Sequence, residues 1–240
     1  ATLVNGDRIF FKRGDTFTGT LVLSKSALST AKLQYGAYGT GNRPVISNMQ
    51  TITGWTLFFF CFYRAPVAIP TNCNIVTVDG VNTNMGKYPA TGENTFESYS
   101  ALTSITDAQL TGTPNFAGGE VVIWKSNWTI DRSAITGHTN GTITYTSGSS
   151  WAVQSSGGYK YYIQKHINCL LKFGDWYTDG SYFYMYFGAN SPSSYLVKAG
   201  SSDYTVSLDR KNYNTLRDLK IEGGNLAAIY CLSSVSFSLV

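Results

Sequence analysis

Charge is what this sequence has least of. Only 13% of its 240 residues are Asp, Glu, Lys or Arg, and the excess of four positive charges comes in short pairs such as Lys12-Arg13 and Arg210-Lys211 rather than in a stripe. Nucleic acid is therefore not an expected partner. Histidine is nearly absent: His138 and His166 stand far apart with no cysteine beside them. Cys61, Cys73, Cys169 and Cys231 show no CxxC spacing, so a metal site is not expected. The four cysteines sit in apolar or strand-like surroundings and read as buried free thiols, Cys61 with Cys73 being the most plausible pair if a disulfide forms. Long apolar runs are missing too. LFFFCFY from Leu57 is far too short to span a bilayer, and ATLVNGDRIFF holds no basic or cleavage signal, so membrane insertion is not expected. No phosphate loop, dinucleotide fingerprint or Ser-His-Asp elbow occurs, which leaves no cofactor to expect.

Helical periodicity is absent as well, while Gly, Ser, Thr, Asn and Tyr abound, a composition of strands joined by tight turns. With 43% hydrophobic residues there is ample material for a core. In residues 1–50 the short strands RIFFK, TLVLS, KLQYGAY and PVIS are near-continuously apolar in places and are separated by turns unlike those of hairpins, which favours parallel coils over a meander. Residues 51–105 read as an irregular connection with a long loop, MGKYPATGENTFESYS. Residues 106–210 carry alternating strands, among them EVVIWKSNWTI, GTITYT, YKYYIQKHI, YLVKA and YTVSL, and read as an inserted antiparallel sandwich or barrel. Residues 211–240 return to the first texture: Leu219 and Ile221 share a side, Gly223-Gly224-Asn225 turns the chain, and Val235, Phe237 and Leu239 alternate in what reads as a truncated last coil.

The most aromatic stretch is FGDWYTDGSYFYMYFGAN, Phe173 to Asn190. Its Asp179-Gly180 suits a tight primed turn, so a hairpin is expected. Period two then puts Phe183, Met185 and Phe187 on a buried face and Tyr182, Tyr184 and Tyr186 on the other. Those three tyrosines are candidates for stacking on a sugar only if nothing covers them; packing under neighbouring segments is the expectation.

GDRIFFKRGDTFTGTLVLS followed by LQYGAYGTGNRPVIS resembles the opening of bacterial secreted right-handed parallel β-helix proteins of the pectin-lyase-like superfamily. EVVIWKSNWTIDRSAIT and FGDWYTDGSYFYMYFG resemble the β domain that some of them, certain glycoside hydrolases included, insert after the first coils, although Asp175 stands where that pattern has Glu before the Trp. NTLRDLKIEGGN resembles the return to the helix. The resemblance implies an all-β fold in which right-handed parallel β-helix coils are interrupted by an antiparallel sandwich- or barrel-like domain, and a secreted or bacterial cell-surface location. It also implies action on, or binding of, polysaccharide, with any catalytic coils downstream of Val240. The alternative is a non-catalytic surface adhesin that binds surface glycan and is exported by bacterial secretion machinery.

Catalysis on such a fold takes either two carboxylates roughly 5–10 Å apart or a base beside a bound cation. Few acids are available: 14 in all. Asp7 and Asp15 fall in early turns where Asp caps its own backbone, Glu93 and Glu97 lie in the long loop, and alternation sends Asp131 and Arg132 to opposite faces. Glu222, projecting from a coil beside the insertion, is the one candidate catalytic acid. Whether the chain is an enzyme is left open by its residues.

Overall fold

The computed structural model describes residues 2–154, 159–233 and 237–240. Val235 lies outside the described residues. The chain divides into two compact units, one built from 1–52, 69–82 and 196–240, the other from 53–68 and 83–195.

The first unit is a right-handed parallel β-helix. Its successive coils lay strands on three parallel sheets: Arg8–Lys12, Leu33–Tyr38, Asn214–Leu216 and Ser238–Leu239 on one; Thr16–Thr18, Val45–Ser47 and Lys220–Glu222 on a second; Leu21–Val22, Ser202–Asp209 and Gly224–Leu232 on a third. Registers are continuous, with Arg8 to Lys12 opposite Gln34 to Tyr38 and Thr16 to Thr18 opposite Val45 to Ser47. The second coil is interrupted between Ser47 and Ser202, which lie on its second and third sides. Inward-facing Leu23, Leu33, Tyr35, Val206, Leu208 and Leu216 fill the interior. Burying such side chains contributes about 1.5–3 kcal/mol each. Polar rungs close the corners: buried Asn48 donates to Tyr204 O at 2.7 Å, and buried Asn225 to Gly200 O at 3.0 Å. Asn225 also accepts from Asn74 N at 3.1 Å.

The YTVSL segment, read as part of the insertion, is placed by its pairings in the helix, where Ser202–Asp209 runs parallel to both Leu21–Val22 and Gly224–Leu232. Period two is the same in both settings, so alternation alone does not choose the partner. In the same unit Val197–Gly200 pairs antiparallel with Met49–Thr51 and Val76–Val78.

The second unit is antiparallel. An eight-stranded sheet runs through Lys87–Tyr88, Lys160–Gln164, Glu120–Trp124, Ile130–Thr139, Thr142–Thr146, Ser104–Thr106 and Ser98–Ser100, with Asn94–Thr95 also on Lys160–Gln164. Because Asn94–Thr95 lies near one edge and leads directly to Ser98–Ser100 at the other, the sheet curls back on itself. Phe96, Ile123, Ile135, Ile143, Tyr161 and Ile163 are among the side chains it encloses. The stretch 51–105 thus contributes strands to both units. A four-stranded sheet of Trp176–Thr178, Phe183–Tyr186, Phe62–Ala65 and Thr56–Phe59 completes this unit.

The expected hairpin is present, with Trp176 opposite Met185 and Thr178 opposite Phe183. At its turn Asp179 N donates to Tyr182 O at 3.2 Å across Gly180-Ser181, Gly180 rather than Asp179 has positive φ, and the Asp179 carboxylate accepts from Ser181 N and Tyr182 N at 2.8 and 2.7 Å. Among the described residues no helix is long and apolar enough to cross a membrane. All four cysteines are free, Cys61 and Cys73 included.

Candidate functional site

In the helix unit the corner Glu222-Gly223-Gly224 turns the chain from the second sheet to the third. Gly223 has φ of +100°, and a Cβ on it would lie 2.8 Å from Asn48 C and Met49 N, so glycine is required here. The tight corner presents Glu222 to a cavity of about 480 Å³ whose walls include Thr77, Asn82, Lys198, Lys220, Glu222 and Gly223. Lys220 and Glu222 face the same way because they are two apart in one strand.

Glu222 is held from both sides. Its Oε2 pairs with Lys220 Nζ at 2.8 Å, its Oε1 accepts from Ser47 Oγ at 3.2 Å, and its backbone carbonyl accepts from Asn48 N and Thr205 Oγ1 at 3.0 and 2.9 Å. Its side chain keeps 29% exposure, so a ligand can still reach it. Carboxylate, ammonium, amide and hydroxyl groups therefore converge on a concave surface, an arrangement suited to a ligand rich in hydroxyls, each of which both donates and accepts. Among the described residues no second Asp or Glu lines this cavity.

The candidate tyrosines belong to the other unit, where Tyr184 is buried and Tyr182 and Tyr186 are half-buried against their neighbours. Tyr184 is buried, stacks on Tyr177 with centroids 4.6 Å apart, meets Phe58 edge-on at 5.5 Å, and donates its hydroxyl to Asp179 at 3.1 Å. The guanidinium of Arg64 lies 4.4 Å from the Tyr182 ring centroid, and Tyr186 leans on Phe62 at 5.2 Å. On the reverse face Phe183, Met185 and Phe187 are fully buried, Phe183 stacking on Trp176 at 5.6 Å.

Several of the other residues weighed in the sequence have structural partners. Asp7 accepts from Val4 N at 2.7 Å, Glu97 from Ala108 N at 2.9 Å, and His138 Nδ1 from Phe116 N at 3.2 Å while its ring stacks on Phe116. Burial holds both His138 and His166 below the usual imidazole range, a bond to the Asn140 backbone partly opposing this for His138. Among the described residues no group of three or more His, Cys, Asp or Glu could hold a metal ion.

Sequence reasoning missed Lys198, Thr77 and Asn82, because they stand on other strands, 24 positions from Glu222 for Lys198 and more than a hundred for Thr77 and Asn82, and meet it only in the folded chain. The spacing Lys-Ile-Glu was the one local signal available. It also missed Lys125, which lies six positions before Asp131. The Lys125 side chain has no exposed surface, and its ammonium meets Asp131 Oδ2 and Ser147 Oγ at 2.6 Å and Trp151 O at 2.9 Å.

No protein-family model matches the chain, and no curated protein matches it. Solved structures similar to it include the following two. One described as a glycoside hydrolase gives a TM-score of 0.69 at 13% identity, over 90% of this chain and 43% of that one. The other, XylC in complex with xylose, gives 0.46 at 10% identity, over 93% of this chain and 31% of that one. The chain thus spans less than half the length of either, and the likeness to the first is one of fold.

Proposed function

We propose that this chain is part of a secreted or cell-surface β-helix protein of the pectin-lyase-like kind that engages polysaccharide, with the cavity at the Glu222-Gly223-Gly224 corner as its saccharide-contacting site. The observation that carries the reading is the pairing, inside that cavity, of a carboxylate acceptor with an ammonium donor 2.8 Å away. A sugar hydroxyl can donate to Glu222 while the same or the next hydroxyl accepts from Lys220 or Lys198. Support also comes from the similarity in fold to a structure described as a glycoside hydrolase.

Hydrolysis takes two carboxylates, and this cavity offers one. In this reading any cleavage chemistry therefore belongs to coils outside this chain. The same observation favours a second reading, a non-catalytic adhesin that is exported by a bacterial secretion system and uses the cavity for attachment alone.

A glycan array probed with the 240-residue chain tests the site. Binding to at least one oligosaccharide class, lost in Glu222→Gln with an unchanged melting curve, is expected. An array on which the chain binds nothing, or on which Glu222→Gln binds like the parent, would refute it.

A further inference from the structure

The antiparallel unit has a cavity of its own, of about 360 Å³, lined by Asn84, Lys87, Tyr162, Gln164, Lys172 and Asp175 among others. Its floor follows from alternation. Tyr161 and Ile163 are fully buried in the core of the curled sheet, so Tyr162 and Gln164 emerge on the opposite face. Lys87 is the register partner of Gln164, donates to Gly92 O at 2.8 Å, and sets its ammonium 5.1 Å from the centroid of the Tyr162 ring. The wall is Asp175, 3% exposed, whose Oδ2 accepts from Leu171 N and Lys172 N at 2.8 and 2.9 Å.

This face of the sheet is the one turned away from the apolar core, yet Gln164 and Asp175 are almost wholly buried on it, at 6% and 3% exposure. Two polar side chains are thus withdrawn from water around a space that the core does not need. The charges are also unbalanced. Two lysines, Lys87 and Lys172, line the cavity against one aspartate, Asp175. Burial pushes that carboxyl up from its ordinary range, with the Leu171 and Lys172 backbone bonds and the Lys172 charge only partly opposing. The neighbouring Glu120 is committed to Lys165 at 2.9 Å and to the amide of Gln164.

We propose that the antiparallel unit carries a separate binding site for a sugar unit bearing a carboxylate, with Lys87 and Lys172 taking the carboxylate and Asn84, Gln164 and Asp175 taking ring hydroxyls. The location and the anionic character come from this cavity alone; that the ligand is a sugar rests on the reading of the chain as a polysaccharide-engaging protein. At 360 Å³ the cavity is at the small end of ligand sites, which suits one sugar unit better than a chain of them.

Isothermal titration of the 240-residue chain with methyl glucuronide, methyl glucoside and acetate tests this. Saturable binding of the glucuronide is expected, with the glucoside and acetate weaker by about tenfold or more, since each lacks half of the contacts. Lys172→Gln, an exposed position that leaves folding intact, should weaken the glucuronide by about tenfold, as should Lys87→Gln, and Glu222→Gln should leave it unchanged. No saturable glucuronide binding, equal binding of the glucoside or of acetate, or parental affinity in both lysine variants would overturn the proposal. The two sites fail separately. Array binding lost in Glu222→Gln without glucuronide binding would remove only this site, and glucuronide binding with a silent array would remove only the helix cavity.

Discussion

Lys125 and Asp131 form the most buried ion pair among the described residues, side chains 0% and 10% exposed and 2.6 Å apart. Burial works to raise the Asp131 pKa, but the bonds from Lys125, Ser149 and Arg132 N outweigh it and hold the carboxyl below its ordinary range. Removing one charge from such a pair leaves the other uncompensated, so Asp131→Asn should destabilise the antiparallel unit by about 3–5 kcal/mol in urea unfolding. Because the folded pKa is depressed, the stabilisation is present above the unfolded value near 3.8 and is lost as pH falls through the lower folded one. The gap between parent and Asp131→Asn should therefore close below that range; a constant gap would show that the pair does not carry the effect. Alternation correctly separated Asp131 from Arg132, which are buried and exposed in turn, but it carried no information about Lys125. That lysine meets Asp131 only because the two strands turn back through 125–129, with Lys125 N bonded to Thr129 O.

At the scale of the element, the hairpin was legible because period two needs only adjacent residues. Phe183 is fully buried against Trp176 and Trp55, so Phe183→Ala should cost about 3–5 kcal/mol by thermal or urea melting. A loss under about 1 kcal/mol would mean the site collapses without a cavity. Asp79-Gly80 lies in the stretch read only as an irregular connection, yet both residues have positive φ, 50° and 80°, as a primed turn requires, and they join Val76–Val78 to Val81–Thr83. Strand partners were not readable. Ser202–Asp209 and Glu120–Trp124 both alternate, yet one pairs in parallel within the helix and the other antiparallel in the curled sheet. Only long-range packing distinguishes them. The Gly223 corner lies between these cases, since Gly-Gly-Asn announced a turn but not the approach of Asn48 behind it. Gly223→Ala should destabilise the helix unit by more than about 1 kcal/mol, since positive φ and a backbone clash coincide. A melting curve like the parent's would mean that the corner relaxes freely.

Across the whole molecule the sequence conveyed the alternation of textures, parallel coils around an antiparallel insertion, because each texture is a local property repeated many times. The candidate site was only partly visible. Glu222 stood out by its place beside the insertion and Lys220 lies in its own strand, but Lys198, Asn82 and Thr77 around it come from segments that converge only on folding. Among the described residues, the helix cavity and the cavity of the antiparallel unit are each lined by one acidic residue, Glu222 and Asp175. Reducing-end and unsaturated-product assays with this chain should accordingly detect no polysaccharide cleavage; turnover abolished by Glu222→Gln would instead make that residue a catalytic acid. The most direct measurement is the affinity of the chain for its best array oligosaccharide, compared among the parent, Glu222→Gln and Tyr184→Ala at matched foldedness. The account predicts that Glu222→Gln weakens binding by about tenfold or more while Tyr184→Ala leaves it unchanged. Loss of binding in Tyr184→Ala with the parental affinity retained in Glu222→Gln would contradict it.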